Sequence, residues 1–307
     1  MKLELKVNNI KYSGWEGVSI TKSMTSISHT FSMSILNSQE VEIQNDDVIE
    51  ILVNDKTFIT GFIDEMTVSV NDKKMPMQIS GRSKTGDLID SHVLTPQQYN
   101  KLNILQIMSN IVDKFGMKVT TNIKLSPLSV FNTKVGETYF NAINRLCKQT
   151  NTLPISDKDG NIIIVKNDKK ESGIVLKDDD FKSLKYTKKL TYRHSKYVYK
   201  KESMVNDVTD GIEPDTSVKR FRPFVKVNTE DKTNQDLAKW QLNKNKAEEL
   251  TLSAVVQGWN LEINTIVKID TSIVQNSFLI KEITYTKNDS GTVSNITFVS
   301  KGLFDVA

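Results

Sequence analysis

Residues 61–90 read GFIDEMTVSVNDKKMPMQISGRSKTGDLID and describe two neighbouring strands followed by a junction. A strand begins near Phe58, and apolar residues then stand at even positions as far as Val70, with polar residues mostly between them. This alternation is typical of a strand with one buried face. Residues 71–74, NDKK, predict a turn, and residues 75–79 predict the return strand because their apolar residues also have a period of two.

The segment 81–90, GRSKTGDLID, predicts a chain that leaves a sheet and enters a helix. Thr85 is expected to cap the first N–H groups of that helix, and Asp87 to complement its positive end. The spacing of the two glycines is also that of a phosphate-binding loop, which requires Lys and then Ser or Thr after the second glycine. Asp87 and Leu88 stand at those positions instead, and a carboxylate repels phosphate. We therefore interpret the segment as a structural junction.

This arrangement of residues resembles the baseplate hub proteins of contractile-tailed phages of the bacteriophage Mu type, which are related to the VgrG-like spike bases of secretion systems. In that family a segment similar to residues 81–90 leaves the first β-barrel. Three further stretches resemble the same family: residues 136–165, GETYFNAINRLCKQTNTLPISDKDGNIIIV; residues 220–225, RFRPFV, before a helix; and residues 255–259, VVQGW. The short link at 260–264 departs from the family, which has a longer loop there.

The resemblance implies an α+β, mainly β fold with two β-barrel domains, a small α/β domain between them and a helical insertion in the second barrel. No clear sequence repeat relates the two predicted barrels, so their similarity rests on the resemblance alone. The predicted domains are the first β-barrel at 1–90, the small α/β domain at 91–170, the second β-barrel at 171–203 and 251–307, and the strand-helix insertion at 204–250.

Hydrophobic periodicity along the chain agrees with this organisation. The alternating residues 26–35 predict one unbroken strand. Asn103 is expected to cap a helix that ends at Gly116, and residues 137–150 predict a second helix. A hairpin is predicted at 153–165, because Asp and Gly residues separate two short apolar runs.

Composition limits the kind of protein that this chain can be. It has 307 residues, a net charge of +4 and 38% hydrophobic residues, which suits a protein with several packed cores and large polar surfaces. No apolar run approaches the roughly 20 residues that span a bilayer, so no membrane anchor is expected. The first ten residues alternate like a strand rather than like a signal peptide. We therefore expect the protein to stay in the host cytoplasm until it is assembled.

Only five of the 41 basic residues are arginine, namely Arg82, Arg145, Arg193, Arg220 and Arg222. Arginine is the residue best suited to bidentate contacts with phosphates and bases, so its scarcity weakens a nucleic-acid interpretation. It also makes a specific partner more probable for each arginine that is present.

The most basic stretch, residues 185–201, contains seven Lys or Arg residues, four Tyr residues and no acid. This composition is typical of a strand with one solvent-exposed face, and it is equally typical of a segment that binds single-stranded nucleic acid. A basic strand that lines a channel would serve both roles, which allows non-specific passage of DNA through a lumen.

Enzyme chemistry finds little support in the sequence. The three histidines are isolated, and no zinc-binding or nucleophile-elbow motif is present. His29 is expected to be a buried or sheet-edge histidine, and Cys147 a buried core thiol. We expect no enzyme activity, no catalytic residue, no metal and no cofactor. Because tail baseplates carry cell-wall hydrolases, a lytic function remains the enzyme alternative.

The resemblance implies a structural baseplate hub in a virion or phage-tail-like particle. In that family three copies form a ring, and the two similar barrels of each copy match a threefold spike to a sixfold tail tube. The implied partners are further copies of the chain, the central spike, the tail tube or tube-initiator proteins, and other baseplate proteins. A nucleic-acid-binding β-barrel protein is the second alternative. The candidate interface or domain-junction residues are Arg82, Lys84, Asp87, Asp90, Arg220 and Arg222.

Overall fold

The structure is a computed structural model that describes residues 1–36, 42–70, 74–150, 152–166, 171–201, 210–228 and 233–301. Within these ranges the fold is mainly β, with one large 13-stranded sheet and four short α-helices, so the mainly β class is confirmed. None of the described helices has the length and the apolar composition needed to cross a bilayer. The predicted turn residues 71–73 and the first residues of the predicted insertion, 204–209, lie outside the described part.

Seven strands precede the first helix and form an antiparallel sheet in the order β3-β4-β7-β6-β5-β1-β2. They are β1 (Leu3–Val7), β2 (Ile10–Tyr12), β3 (Gly17–Ser23), β4 (Thr30–Ile35), β5 (Val48–Val53), β6 (Lys56–Val68) and β7 (Met77–Ser83). The unbroken strand predicted at 26–35 is shorter than expected. Residues 26–29 lie outside the strand, with a bend at 27–28, and Ile27 packs into a different core from Phe31 and Met33 of the strand.

The buried face of β6 differs from the prediction. Ile59 and Ile63 are buried, whereas Val68 and Val70 at the even positions are 44% and 73% exposed. The register against both neighbouring strands shifts along β6, including a shift at Asp64. A bulge adds one residue to a strand, so the side that faces the core passes from the odd positions Ile59 and Ile63 to the even position Met66, which is half-buried.

The middle of the chain forms a small layer of helices and short strands with its own core. Its elements are α1 (Asp87–Asp90), β8 (Gln98–Asn100), α2 (Ile104–Val112), β9 (Val119–Thr121), β10 (Val130–Asn132), α3 (Tyr139–Gln149), β11 (Leu153–Ser156) and β12 (Ile162–Val165). The predicted cap is confirmed, because Asn103 and Gln106 exchange backbone-to-side-chain hydrogen bonds of 3.0 Å at the start of α2. Gly116 takes the left-handed conformation just after the following turn, with φ of 63°.

The last part of the chain returns to the large sheet and carries an insertion. Its elements are β13 (Glu171–Lys177), β14 (Phe181–Lys188), β15 (Lys196–Lys201), β16 (Gly211–Pro214), β17 (Pro223–Asn228), α4 (Asn234–Glu249), β18 (Leu250–Gln257), β19 (Ile266–Asp270), β20 (Gln275–Asn288) and β21 (Gly291–Ser300). In the insertion, β15 lies between β16 and β17. Tyr197 and Tyr199 of β15 pack against Leu237 and Leu242 of α4.

The pairing of β20 with β3 joins the first and last parts of the large sheet. Side chains from both parts share a single core, in which the rings of Phe58, Trp259 and Tyr285 contact one another at centroid distances of 4.9 to 5.5 Å. Two separate barrels were expected here. Among the described residues no strand pair closes either part into a barrel, and the two parts form one continuous sheet.

The two parts of the sheet nevertheless repeat the same pairing order. The order β3-β4-β7-β6-β5-β1 in the first half corresponds to β14-β18-β21-β20-β19-β13 in the second. The register corresponds as well, since Ile63 lies opposite Gly81 in the first half and Ile280 lies opposite Phe298 in the second. In each of these hairpins the next residue of the longer strand, Asp64 in β6 and Lys281 in β20, has no residue opposite it. The halves differ at one edge, where β1 is antiparallel to β5 and β13 is parallel to β19.

A short stretch of sequence is similar in the two halves. Residues 63–67, IDEMT, correspond to residues 280–284, IKEIT, at the skipped position of each long strand. Asp46 lies just before β5, and Asn264 lies just before the corresponding strand β19. Their backbone N–H groups donate to the carbonyl oxygens of Ile63 and Ile280 respectively, and both residues have positive φ. The expectation that the halves show no sequence repeat is therefore wrong for this segment.

Candidate functional site

Arg82 links the strand pair β6–β7 to helix α1. Its Nε donates to Asp64 Oδ2 at 2.7 Å and its Nη2 to Asp64 Oδ1 at 3.2 Å, which is a bidentate contact. Nη2 also donates to Asp90 Oδ2 at 2.6 Å, and this hydrogen bond holds the pKa of Asp90 below its ordinary value. All three side chains are partly exposed, so solvent screens these contacts. Arg82 therefore fixes the direction in which the chain leaves the sheet.

Asp87 lies beside this group without a hydrogen bond to Arg82. Burial raises the pKa of Asp87, and the nearby carboxylates of Asp64, Asp90 and Asp46 raise it further, whereas the charge of Arg82 lowers it. The structure thus brings Arg82, Asp87 and Asp90 together in a patch where several carboxylates surround one guanidinium. In the described residues, no group of three or more His, Cys, Asp or Glu side chains is arranged to hold a metal ion.

The hydroxyl of Thr85 does not cap the helix that follows it. It donates to the carbonyl of Ile27 at 2.8 Å and lies 2.7 Å from the hydroxyl of Ser83. Ser83 in turn accepts the backbone N–H of His29 at 2.9 Å. The predicted cap is therefore wrong. These buried hydroxyls instead tie the end of β7 to the residues before β4, because a buried polar group must find a partner.

His29 connects the large sheet to the hairpin β11–β12. Its Nε2 lies 3.1 Å from the carbonyl oxygen of Ser156, and its side chain is buried as expected. Burial, with a smaller contribution from the charge of Lys22, lowers the pKa of His29 to about 3. The ring is therefore neutral in the folded protein at physiological pH.

Close contacts between strands account for the glycines of the junction. A Cβ atom on Gly61 would lie 1.9 Å from the carbonyl oxygen of Arg82, and one on Gly81 would lie 2.0 Å from that of Phe62. Any side chain at either position would collide with backbone. The first glycine of the phosphate-loop spacing thus serves strand packing, which agrees with the interpretation of a structural junction.

Lys84 packs at the same junction. The aliphatic part of its side chain covers Gly160 in the turn between β11 and β12, where an added Cβ would lie 2.9 Å from Lys84 Cβ. Gly160 has φ of 78°, a conformation that glycine adopts without strain. Lys84 therefore contacts the middle layer from the end of the large sheet.

Arg220 and Arg222 lie apart from the Arg82 group, in the insertion. Arg222 donates from Nη1 to the carbonyl of Leu190 at 3.2 Å and from Nη2 to that of Thr191 at 2.6 Å. It thereby fixes the turn between β14 and β15 against the start of β17. Arg220 is exposed to solvent.

A buried ionic group in the insertion was missed by the sequence argument. Arg193 donates from Nε to Asp215 at 2.9 Å and from Nη2 to Ser217 at 2.6 Å, and Nη1 forms an ion pair with Glu249. Burial alone would raise the pKa of Asp215, but hydrogen bonds from Ser217 and Arg193 bring it below its ordinary value. The scarcity of arginine was the available signal, since Arg82, Arg193 and Arg222 all have specific partners.

The basic stretch 185–201 is two strands and a turn rather than one strand. Tyr197 and Tyr199 are buried against α4, and Arg193 is buried in its ion pairs. Tyr186 and Tyr192 are 44% and 64% exposed. Only part of the stretch therefore faces solvent, so the row of stacking rings that a single-stranded nucleic acid requires is interrupted.

Cys147 lies in the core of the middle layer and is a free thiol, as expected. Burial raises its pKa to about 12. A thiol that stays protonated at neutral pH is a poor nucleophile, so the structure gives it a packing role.

Comparison with known proteins identifies two family models along the first half of the chain. Residues 2–83 match "Mu phage baseplate assembly protein GpP-like, N-terminal". Residues 85–166 match "Baseplate hub protein gp44-like, second domain". The boundary between these matches falls at the Arg82 junction.

The chain is also similar to a curated protein and to solved structures. It is 22% identical over 317 residues to "Baseplate hub protein gp44" of Escherichia phage Mu, covering 93% of this chain and 84% of that protein. The 43 kDa tail protein of prophage MuSo2 from Shewanella oneidensis has a TM-score of 0.88 and 24% identity, with 100% of both chains covered. A type VI secretion component of E. coli, described as similar to phage T4 tail proteins gp27 and gp5, has a TM-score of 0.67 and 10% identity, with 96% of this chain and 76% of that chain covered.

Proposed function

The chain is a baseplate hub protein of the Mu gp44-like kind, and we propose that three copies of it form a ring that joins the central spike to the tail tube. The family is a structural baseplate hub family and not an enzyme family, so the cell-wall hydrolase alternative is set aside. The protein is a component of a phage tail baseplate. Its assembly into a virion or a phage-tail-like particle from the host cytoplasm is part of the proposal.

The observation that carries this proposal is the repeated strand order of the two halves. Three copies of a chain with two corresponding halves present six similar units around a threefold axis. Such a ring can meet a threefold spike on one side and a sixfold tube on the other. In each copy the β3–β20 pairing and the shared core hold the two halves in a fixed relation, as a rigid adaptor requires.

The finer organisation follows from the same idea. We infer that each half acts as an open barrel, with the domain boundaries at 1–90, 91–170, 171–203 with 251–307, and 204–250, and that β15, which pairs with β16 and β17, belongs to the insertion. Contacts to the spike, the tail tube or tube-initiator proteins and other baseplate proteins would then use the outer faces of the ring. The exposed lysines of β14 would make a lumen tolerant of DNA without sequence preference.

The six candidate residues take different parts in this proposal. Arg82, Asp87 and Asp90 would set the angle between the large sheet and the middle layer, and Lys84 would pack that joint. Arg222 would hold the insertion in place, which leaves exposed Arg220 as a contact for a neighbouring protein.

The test is the mass of the purified protein by light scattering during size exclusion, at moderate and at high salt. A ring predicts about three times the chain mass of 34.8 kDa, retained at high salt, because an obligate interface of roughly 2,000 Å² or more is largely apolar. If the purified protein is a monomer by itself, the next step is to co-express it with a candidate spike protein. A monomer in the presence of the spike would overturn the proposal.

A further inference from the structure

Several strand edges of the large sheet have no partner strand in the described residues, and two of them correspond to edges that are paired in the other half of the sheet. One is the edge of β14 that faces away from β18, at the end of the sheet. The other is the edge of β6 beyond Phe62, where the pairing with β5 has ended while the pairing with β7 continues to Val68. A free strand edge carries unpaired N–H and C=O groups and can accept a strand from another chain.

The internal repeat shows which strand fits each of these edges. The counterpart of β14 is β3, because Thr21 lies opposite Thr30 of β4 just as Thr187 lies opposite Thr251 of β18. The counterpart of the free part of β6 is the end of β20, through the matching segments 63–67 and 280–284. Inside the chain, β3 and the end of β20 are paired with each other.

We infer that the free end of β6 in one copy pairs antiparallel with β14 of the next copy, repeating between chains the joint that β20 and β3 make within one chain. The register transfers directly, since Thr284 opposite Thr21 places Thr67 opposite Thr187. The same register sets Glu65 opposite Lys189, Met66 opposite Lys188, Val68 opposite Tyr186 and Val70 opposite Leu184. This inference rests on the proposed ring of three copies.

Burial of apolar side chains supports this pairing. In the observed joint, Ile20 of β3 and both Ile283 and Tyr285 of β20 are fully buried. The matching positions on the free edges are Tyr186, which is 44% exposed, and Met66 and Val68, of which Val68 is 44% exposed. Exposed apolar residues that correspond to buried ones in the same fold indicate a surface that assembly covers.

Charge also favours the pairing of a β14 edge with a β6 edge over the pairing of two β14 edges. The β14 edge carries Lys185, Lys188 and Lys189, so two β14 edges placed together would face lysine with lysine. The β6 edge offers exposed Glu65 opposite Lys189. A contact between two different surfaces of identical chains is heterologous, and with a suitable rotation it closes into a ring.

The pairing can be tested by disulfide formation at the proposed register. The double variant Thr67→Cys/Thr187→Cys should form covalent trimers on a non-reducing gel after mild oxidation, because directly opposed residues have Cβ atoms roughly 4.5–5.5 Å apart. The variant Thr21→Cys/Thr284→Cys is the matched positive control and should form the same bond within one chain. The variant Thr67→Cys/Lys185→Cys is out of register and should cross-link poorly.

A second test exchanges the opposed charges. Glu65→Lys or Lys189→Glu alone should lower the fraction of trimer seen by light scattering, and the double variant should restore it. A wild-type trimer whose Thr67→Cys/Thr187→Cys variant fails to cross-link, while the intrachain control succeeds, would overturn this strand pairing and leave the ring standing. A wild-type chain that stays monomeric with its spike would overturn both.

Discussion

The hydroxyl oxygens of Thr21 and Thr284 lie 2.9 Å apart across the strand pair that joins the two halves of the large sheet. The residues are 263 positions apart in the chain, yet they lie directly opposite each other in β3 and β20. A side-chain hydrogen bond therefore reinforces the backbone pairing at the joint.

Removing one of these hydroxyls should lower the free energy of unfolding more than removing both. We expect Thr284→Val to lower the free energy of unfolding by about 1 kcal/mol, because the hydroxyl of Thr21 then lacks its partner in a partly buried place. The double variant Thr21→Val/Thr284→Val should recover part of that loss. Urea unfolding of the wild type, Thr21→Val, Thr284→Val and the double variant gives the coupling energy, and strictly additive losses would show that the hydroxyls do not interact.

Arg82→Gln should lower stability by about 1 kcal/mol at neutral pH, since the bidentate contact to Asp64 and the contact to Asp90 are lost from a partly exposed site. The pKa of Asp90 is depressed in the folded state, so its share of this stability is present above the ordinary Asp pKa and is lost as the pH falls through the folded value. The difference between variant and wild type should therefore shrink in acid. Urea midpoints at pH 7 and pH 3 test this, and a constant difference would contradict it.

Gly61→Ala should destabilise the protein by about 3 kcal/mol or more, because the new Cβ would lie 1.9 Å from the backbone oxygen of Arg82. Gly136→Ala is the matched control. Gly136 has φ of 76° but no atom within 4 Å of the added Cβ, so it should lose only about 1 kcal/mol to backbone strain. Thermal unfolding compares the two, and equal losses would contradict the contact argument.

Local signals in the sequence were sufficient for the ends of α2. Asn103, Gln106 and Gly116 act within one turn of the helix that they cap, so their effect can be read from neighbouring residues. The same holds for the hairpin β11–β12, whose turn residues adjoin its strands. The mainly β class followed from residue alternation in the same way.

Features that depend on distant residues were not readable from the sequence. The bulge at Asp64 shifts the buried face of β6 by one position, and alternation alone gives no sign of it. The repeat is hard to recognise in the sequence because the middle layer and the insertion separate its corresponding strands by unequal lengths. Arg193 finds its partners at Asp215 and Glu249, which only the fold brings together.

His29 should make the protein less stable as the pH falls from about 6.5 towards 3. The folded state holds the ring neutral because its pKa is lowered to about 3, while the unfolded chain takes up a proton near the ordinary value, 6.5. The unfolded state then binds more protons, so the free energy of unfolding falls by up to about 1.4 kcal/mol per pH unit. His29→Gln, which can still donate to Ser156, should remove this slope. Urea unfolding between pH 4.5 and 6 tests it, and parallel pH curves for the two proteins would contradict it.

The buried ion pairs of Arg193 should make the insertion sensitive to loss of a single charge. Arg193→Met leaves the buried carboxylate of Asp215 without its cation, whereas Glu249 keeps its ion pair with Lys188, and we expect a loss of about 3 kcal/mol. Lys200→Met is the matched control, because the ion pair with Asp210 is largely exposed and should matter by less than about 0.5 kcal/mol.

Replacing the whole group separates unpaired charge from lost packing. The triple variant Arg193→Met/Asp215→Leu/Glu249→Met removes the cation together with both of its carboxylate partners, so it should be more stable than Arg193→Met alone. Guanidinium unfolding followed by tryptophan fluorescence measures all four proteins. A triple variant less stable than the single one would show that the ion pairs themselves stabilise the insertion, rather than that an unpaired buried carboxylate destabilises it.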